Sequence, residues 1–280
     1  MNAKLLSIIG LCSIILSFQS PRSYEMKEFP IKLLKGYGTV PAGFIRLKEL
    51  GGTDDLMHEA IRQNITGIPK NWTSISIKFI LFEPNQFVFQ SYKQGLVSEE
   101  YFNDFKKRRY ANFEKRPLSE EPIKCLVYVL YGRDEKGIWK HKVDANNNYN
   151  FADDSEILPP KVDWTKLDSL AKEYSFEVKY ESFRNGKIVE LSAPVLIVDL
   201  DNGFFGVNIP QHGETEIDGT KILISSQGFT TTDYDSVSVY NLNRIDERIN
   251  EKEYITIGSH AYRNLGCNIN KMVLQLEKLD

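Results

Sequence analysis

The chain has 280 residues, 41% of them hydrophobic and 12% aromatic, which is enough apolar material for one large domain or two ordinary ones and excludes a disordered polymer. Its formal net charge is −3, and the one dense basic run, Lys106-Lys107-Arg108-Arg109, falls at the end of an expected helix, where the helix dipole favours cations. Without a wider basic footprint, nucleic acid is excluded as the expected partner.

Residues 1–19 depart from the bulk composition. Lys4 supplies a positive start, Leu5 to Phe18 an apolar run, and Ser17-Phe18-Gln19 an end containing a small residue, which is the order of a cleavable secretory signal. The run is shorter than the roughly 20 apolar residues a bilayer span needs, so a periplasmic or secreted protein without stable membrane insertion is expected. Cys12 lies too early in the run to serve as a lipoprotein cysteine. The other two cysteines, Cys125 and Cys267, stand outside any Cys-x-x-Cys motif and are expected to stay unpaired.

Between Tyr24 and Lys48, Gly36, Gly38, Pro41 and Gly43 interrupt the chain, leaving a short strand over Phe44–Leu47. Thr53-Asp54-Asp55 caps a helix reaching Ile65 and carrying His58. Gly67-Ile68-Pro69 stops it, and Ser74–Leu81 alternates with period two, as a strand does. Gln86–Tyr92 reads as a second strand pairing with the first. Ser98 caps a helix over Glu99–Asn112. Cys125–Tyr131 is the most apolar strand of this half, and the turn Arg133–Gly137 brings the chain back through Trp139–Val143.

That strand delivers the chain into Asp144-Ala145-Asn146-Asn147-Asn148-Tyr149-Asn150-Phe151-Ala152-Asp153-Asp154-Ser155-Glu156. Calcium takes six to eight hard oxygen ligands, and a short loop supplies them when every second residue turns inward and a carboxylate closes the run. The candidate ligands are Asp144, Asn146, Asn148, Asn150 through its carbonyl, and Asp154, with Asp153 or Glu156 competing as the closing group. A twelve-residue calcium loop has Gly at its sixth position and Glu at its last, where this chain has Tyr149 and Ser155. The competing reading is an Asn/Asp-rich turn, because both residues bond their own backbone and tolerate left-handed conformations.

Pro159-Pro160 marks a boundary between a first part, 20–160, and a second, 161–280. After a helix over Asp163–Tyr174, hairpins follow at Asn185-Gly186, Asp201-Asn202-Gly203 and Asp218-Gly219, each between alternating runs. Val237–Leu242, Tyr254–Ile257 and Met272–Leu276 add strands. Asn241-x-Asn243-x-x-Asp246, with Glu251 and Glu253, faintly repeats the first loop. The expected fold is α+β and mainly β: a helix-decorated N-terminal sheet, then an antiparallel meander forming a sandwich or open barrel.

No Gly-x-Ser-x-Gly, His-Glu-x-x-His, P-loop or Gly-x-Gly-x-x-Gly motif occurs, and His58, His141, His212 and His260 are scattered. Four segments together, Gly67-Ile68-Pro69-x-x-Trp72, Gln86–Tyr92 with Gly95, Lys142–Asp154 and Tyr254–Gly258, resemble the β-rich region that precedes the thioredoxin domain in secreted TlpA-like thiol-disulfide oxidoreductases of Bacteroidota. The resemblance implies an envelope location and an accessory role beside a redox domain. It carries over no catalytic residue, since that chemistry uses a Cys-x-x-Cys motif. The expectation is a non-catalytic accessory or binding module whose partner is an envelope protein or glycan. The alternatives are a glycan-active hydrolase or a thiol-redox partner acting through Cys125 or Cys267.

Overall fold

The computed structural model describes residues 24–38, 43–49, 64–108, 113, 116–201, 204–226, 237–241 and 244–279. The secretory signal expected at 1–19, most of the helix expected before Ile65 with its His58, and the turn residues Asn202 and Gly203 lie outside them. In chain order the elements are β1 (Glu25–Pro30), β2 (Lys32–Lys35), β3 (Ile45–Arg46), β4 (Lys48–Glu49) and β5 (Thr73–Leu81), then helices α1 (Pro84–Lys93) and α2 (Glu99–Arg108). Next come β6 (Leu126–Arg133), β7 (Trp139–Val143), β8 (Glu156–Ile157) and α3 (Leu167–Tyr174). The remainder is strand: β9 (Phe176–Arg184), β10 (Lys187–Asp199), β11 (Phe205–Asn208), β12 (Gln211–Ile217), β13 (Thr220–Ser226), β14 (Val237–Asn241), β15 (Arg244–Ile249), β16 (Tyr254–Ile257), β17 (His260–Asn268) and β18 (Val273–Lys278).

These strands build four antiparallel sheets, in the orders β4-β5-β6-β7-β8, β3-β11-β10-β9, β15-β14-β13-β12-β2 and β1-β18-β17-β16. The first two face one another. Val127, Val129 and Tyr131 of β6 meet Val195 and Ile197 of β10 and Val207 of β11 in one core. The alternate residues of β6, Leu126, Tyr128 and Leu130, point the other way, where α1 and α2 bring Phe87, Val88, Phe102 and Phe105. A strand covered on both faces reads as an unbroken apolar run, and each such side chain contributes about 1.5–3 kcal/mol when fully buried. β10 is covered in the same way, by α3 behind Leu196 and Val198. The other two sheets enclose a separate core around Ile222, Ile224, Ile257, Leu274 and Leu276. The fold is thus a β-rich α+β sandwich, with no closed barrel among the described residues.

Gln86–Tyr92, expected as a strand, is the body of α1. Alternating residues also stand four apart, so a run with period two contains the i, i+4 pairs of a helix. Pro84 in the first turn starts the helix at no hydrogen-bond cost, and Phe87 and Ser91 are buried one turn apart. Gln86 and Gln90, also one turn apart, each grip the backbone of the segment that returns to β6. Gln86 exchanges bonds of 2.9 and 3.0 Å with Ser119, and Gln90 bonds of 3.0 and 3.2 Å with Ile123. A strand would have pointed these two amides and the two buried groups to opposite faces.

Three of the sheets draw strands from both sides of Pro159-Pro160. β1 pairs with β18, β2 with β12 and β3 with β11, so strands from before residue 47 extend the sheets of the C-terminal half. β10 runs unbroken from Lys187 to Asp199 through Pro194. Lys179 turns its N–H away from β10, to the Ala145 carbonyl, and Glu181 turns its own to Lys124. Glu177, in the same alternation, therefore faces Pro194 at a pair that exchanges no N–H bond, and β11 begins pairing only at Leu196. The turns Asn185-Gly186 and Asp218-Gly219 have positive φ at both residues, as two-residue hairpins require. Ser98 Oγ accepts the Tyr101 N–H at 3.1 Å and caps α2. Among the described residues no helix is long and apolar enough to cross a membrane.

Candidate functional site

β8 folds back on β7, pairing His141 with Ile157 and Lys142 with Glu156, so the oxygen-rich segment is a hairpin connection held at both ends. Its first residue, Asp144, is 0% exposed. The two carboxylate oxygens of Asp144 accept the N–H groups of Asn148 and Tyr149, both at 2.9 Å. The Oδ1 atoms of Asn146, Asn148 and Asn150 each accept the N–H two residues on, at 3.1, 2.8 and 3.1 Å. That choice fixes the other end of two amides: Asn146 Nδ2 and Asn148 Nδ2 both donate to Asp153 Oδ2 at 2.9 Å. Asp154 Oδ1 accepts the Ala145 N–H at 3.3 Å, and the Lys142 ammonium donates to the carbonyls of Phe151 and Asp154 at 2.8 Å each.

The five expected ligands therefore gather in one loop, with their side-chain oxygens largely engaged by the loop's own N–H groups. Glu156 stands apart, exposed on β8. Tyr149 has φ +67°, the left-handed geometry for which a calcium loop uses glycine. A bulky residue there costs about 1–3 kcal/mol. The Asp144 bond to its N–H and the edge-on contact of its ring with Tyr128, at 6.0 Å between centroids, hold it in place.

Charge in the loop is graded by depth. Burial pushes the Asp144 carboxyl up, against the lowering effect of its two N–H donors. Asp154 is pushed up to about 6, first by burial and then by the neighbouring charges of Asp144 and Asp153. Asp153, at the surface, is held below its ordinary value by the two asparagine amides. Asp154 Oδ2 is enclosed and has no hydrogen-bond partner among the described residues.

Asn147, between the expected ligands, does something different. Its buried amide donates to the carbonyls of Leu126 at 3.0 Å, Lys179 at 3.2 Å and Lys124 at 3.4 Å. The Lys124 ammonium returns to the Asn147 carbonyl at 2.8 Å, and the Lys124 N–H meets Glu181 Oε2 at 2.8 Å. The loop thus closes the open edge of β9 and ties the first sheet to the second. Gly67 fastens its far side: Thr66 exchanges backbone bonds with Tyr149 and Phe151, and a Cβ on Gly67 would lie 2.3 Å from the Ala152 nitrogen.

Beside the loop lies a cleft of about 300 Å³ between α1 and residues 122–126, bordered by Asn64, Gln90, Gln94, Lys124, Cys125 and Tyr149. Gln90 Nε2 also reaches Cys125 Sγ at 3.6 Å. Burial, and then the charge of Glu83, pushes the Cys125 thiol well above its ordinary range. The Tyr149 phenol is pushed up to about 12, mainly by burial. The Lys124 ammonium stands 5.2 Å from the centre of the Tyr149 ring, within cation–π range. Sequence reasoning missed this cleft. Its one advance sign is the pair of glutamines spaced four apart, legible only once the run is known to be a helix.

Other expected features stay apart. Cys125 and Cys267 form no disulfide and are buried in different cores. His141 is buried between the first two sheets, while His212 Nδ1 lies 2.8 Å from the Gly36 carbonyl. In the second Asn-rich segment Asn243 lies outside the described residues, and Glu253 binds the Asn250 N–H at 2.6 Å, closing a turn. Among the described residues no group of three or more His, Cys, Asp and Glu side chains is placed to hold a metal. The expected loop ligands are mostly asparagine oxygens, which stand outside that count. No family model matches the sequence, and comparison with curated proteins and with solved structures gives no match.

Proposed function

We propose that this chain is a non-catalytic binding module of the bacterial envelope, with the cleft beside the oxygen-rich loop as its ligand seat. One observation carries the reading. The groups bordering the cleft are a protonated thiol, a protonated phenol, amides and an ammonium, over an apolar floor. These recognise and orient a ligand, whereas nucleophilic or acid–base chemistry needs a group poised near neutral pH. The signal-like residues 1–19 and the resemblance to the region preceding a thioredoxin domain support the envelope placement and an accessory role. A fragment survey read by hydrogen exchange tests the seat: ligands should protect residues 90–94 and 122–126, and a survey that protects neither would remove it. Alkylation of the native protein separates the thiol-redox alternative. Cys125 and Cys267 should label only after unfolding, and rapid labelling of Cys125 would favour redox chemistry.

A second reading, calcium in the loop, is favoured by Asp154 Oδ2, an enclosed oxygen without a partner among the described residues, beside the Asp144 carboxylate. A cation there would be bound by Asp144 and Asp154, with Asn146, Asn148 and Asn150 completing the shell. Calcium binding only the native state would stabilise it by about 2.7 kcal/mol at a hundredfold excess over Kd. Equal melting temperatures in chelator and in millimolar calcium would dismiss the ion.

A further inference from the structure

We infer that the cleft between α1 and the oxygen-rich loop takes a small organic carboxylate with an apolar body, an assignment that rests on reading the cleft as a ligand seat. In a chain of net charge −3, the described residues bordering it include Lys124 and no Asp or Glu. The Lys124 ammonium is held in place by the Asn147 carbonyl at 2.8 Å and by the Tyr149 ring. An ammonium has three donors, so donors are left over for a ligand. The Tyr149 hydroxyl has no hydrogen-bond partner among the described residues, and the side-chain amides of Asn64 and Gln94 at the rim have none either.

Below these donors the floor is Ile123, Cys125 and Leu126, all buried, with the thiol acting as a small hydrophobe. A phosphate would fit poorly, because it has no hydrocarbon to cover that floor. A monocarboxylate with a short hydrocarbon tail fits both parts, and about 300 Å³ suits a molecule of amino-acid size. A free acid and the C-terminal residue of a peptide share this chemistry.

Calorimetric titration of the full chain tests the assignment with four probes: N-acetyl-leucine, N-acetyl-leucinamide, and a tetrapeptide ending in leucine with a free or an amidated terminus. Each acid should bind about tenfold or more tighter than its amide, the scale of a charged hydrogen bond. Whichever acid binds tighter identifies the source. Lys124→Gln should erase the preference. Because that change also removes the contact with Asn147, Tyr149→Phe gives an independent check: it should weaken the acids several-fold and leave the amides unchanged. Acid and amide binding equally well would overturn the carboxylate and keep the seat. No saturation by any probe at millimolar concentration would overturn the carboxylate too, and the fragment survey then decides the seat by itself.

Discussion

Asn147 in the oxygen-rich loop donates a 3.2 Å hydrogen bond to the Lys179 carbonyl on β9, across the junction of the two facing sheets. The same amide reaches Leu126 on β6, so one side chain spans both sheets. It sits at φ +56°, a conformation asparagine tolerates better than most residues. The loop is therefore first a structural joint and then a wall of the cleft.

Asn147→Ala should cost about 2–4 kcal/mol, from buried carbonyls left without a donor and from losing asparagine's tolerance of left-handed backbone. Asn147→Gly keeps the backbone comfortable and removes only the amide, so it should cost about 1–3 kcal/mol. Urea unfolding of the two variants separates the contributions. A loss under 0.5 kcal/mol in both, roughly the level of an ordinary surface change, would mean that the joint holds nothing.

Tyr149 carries backbone strain that its ring packing offsets. Tyr149→Ala loses the ring and keeps the strain, whereas Tyr149→Gly loses the ring and relieves the strain. The glycine variant should be the more stable of the two by about 1 kcal/mol. Thermal melts of the pair check this, and an alanine variant at least as stable would contradict the left-handed geometry.

How far these features were legible in the sequence depends on where the partners lie. β6 and β10 announce themselves because neighbours on both faces demand apolar residues, and the Asn-Gly and Asp-Gly turns because only a few residues accept positive φ. α1 did not, because Gln86–Tyr92 satisfies two periodicities and the choice is made by Ser119 and Ile123, 33 residues away. The pairing of β1 with β18 leaves no local trace at all. The loop's composition was plain and its task was not, since the groups Asn147 binds are main-chain carbonyls, which every residue has. The cleft stayed hidden for the same reason, assembled as it is from α1, residues 122–126 and Tyr149.

Asp154 predicts an inverted acid response. Its folded pKa, near 6, lies above the roughly 3.9 of an unfolded aspartate, so between those values the folded state holds the extra proton. Its contribution to stability is therefore most favourable below about pH 4 and is lost as pH rises through about 6. Asp154→Asn should raise the melting temperature at pH 7.5, and the gain should shrink toward zero near pH 4. A gain independent of pH would show that charge is not the cause. Calcium, where it binds, would reverse the sign by favouring the charged carboxylate.

His141 should act in the opposite direction. It is 0% exposed, its ring packs edge-on against Phe205 at 4.2 Å between centroids, and neither ring nitrogen has a hydrogen-bond partner among the described residues. Burial, and then the charge of Lys78, lowers its pKa to about 3, whereas an unfolded histidine titrates near 6.5. Between those values the unfolded state binds more protons, so stability falls as pH drops, by up to about 1.4 kcal/mol per pH unit for this one group. His141→Leu removes both the buried unpaired polar atoms and the titration. It should stabilise the protein by about 1–2 kcal/mol at pH 7.5, since an orphaned polar group in a core costs about that much. Its advantage over the parent should then widen steadily between pH 6.5 and 4. Chemical unfolding at several pH values measures both effects. A leucine variant less stable than the parent at neutral pH, with no change in pH slope, would mean that the imidazole finds a partner inside the sandwich after all.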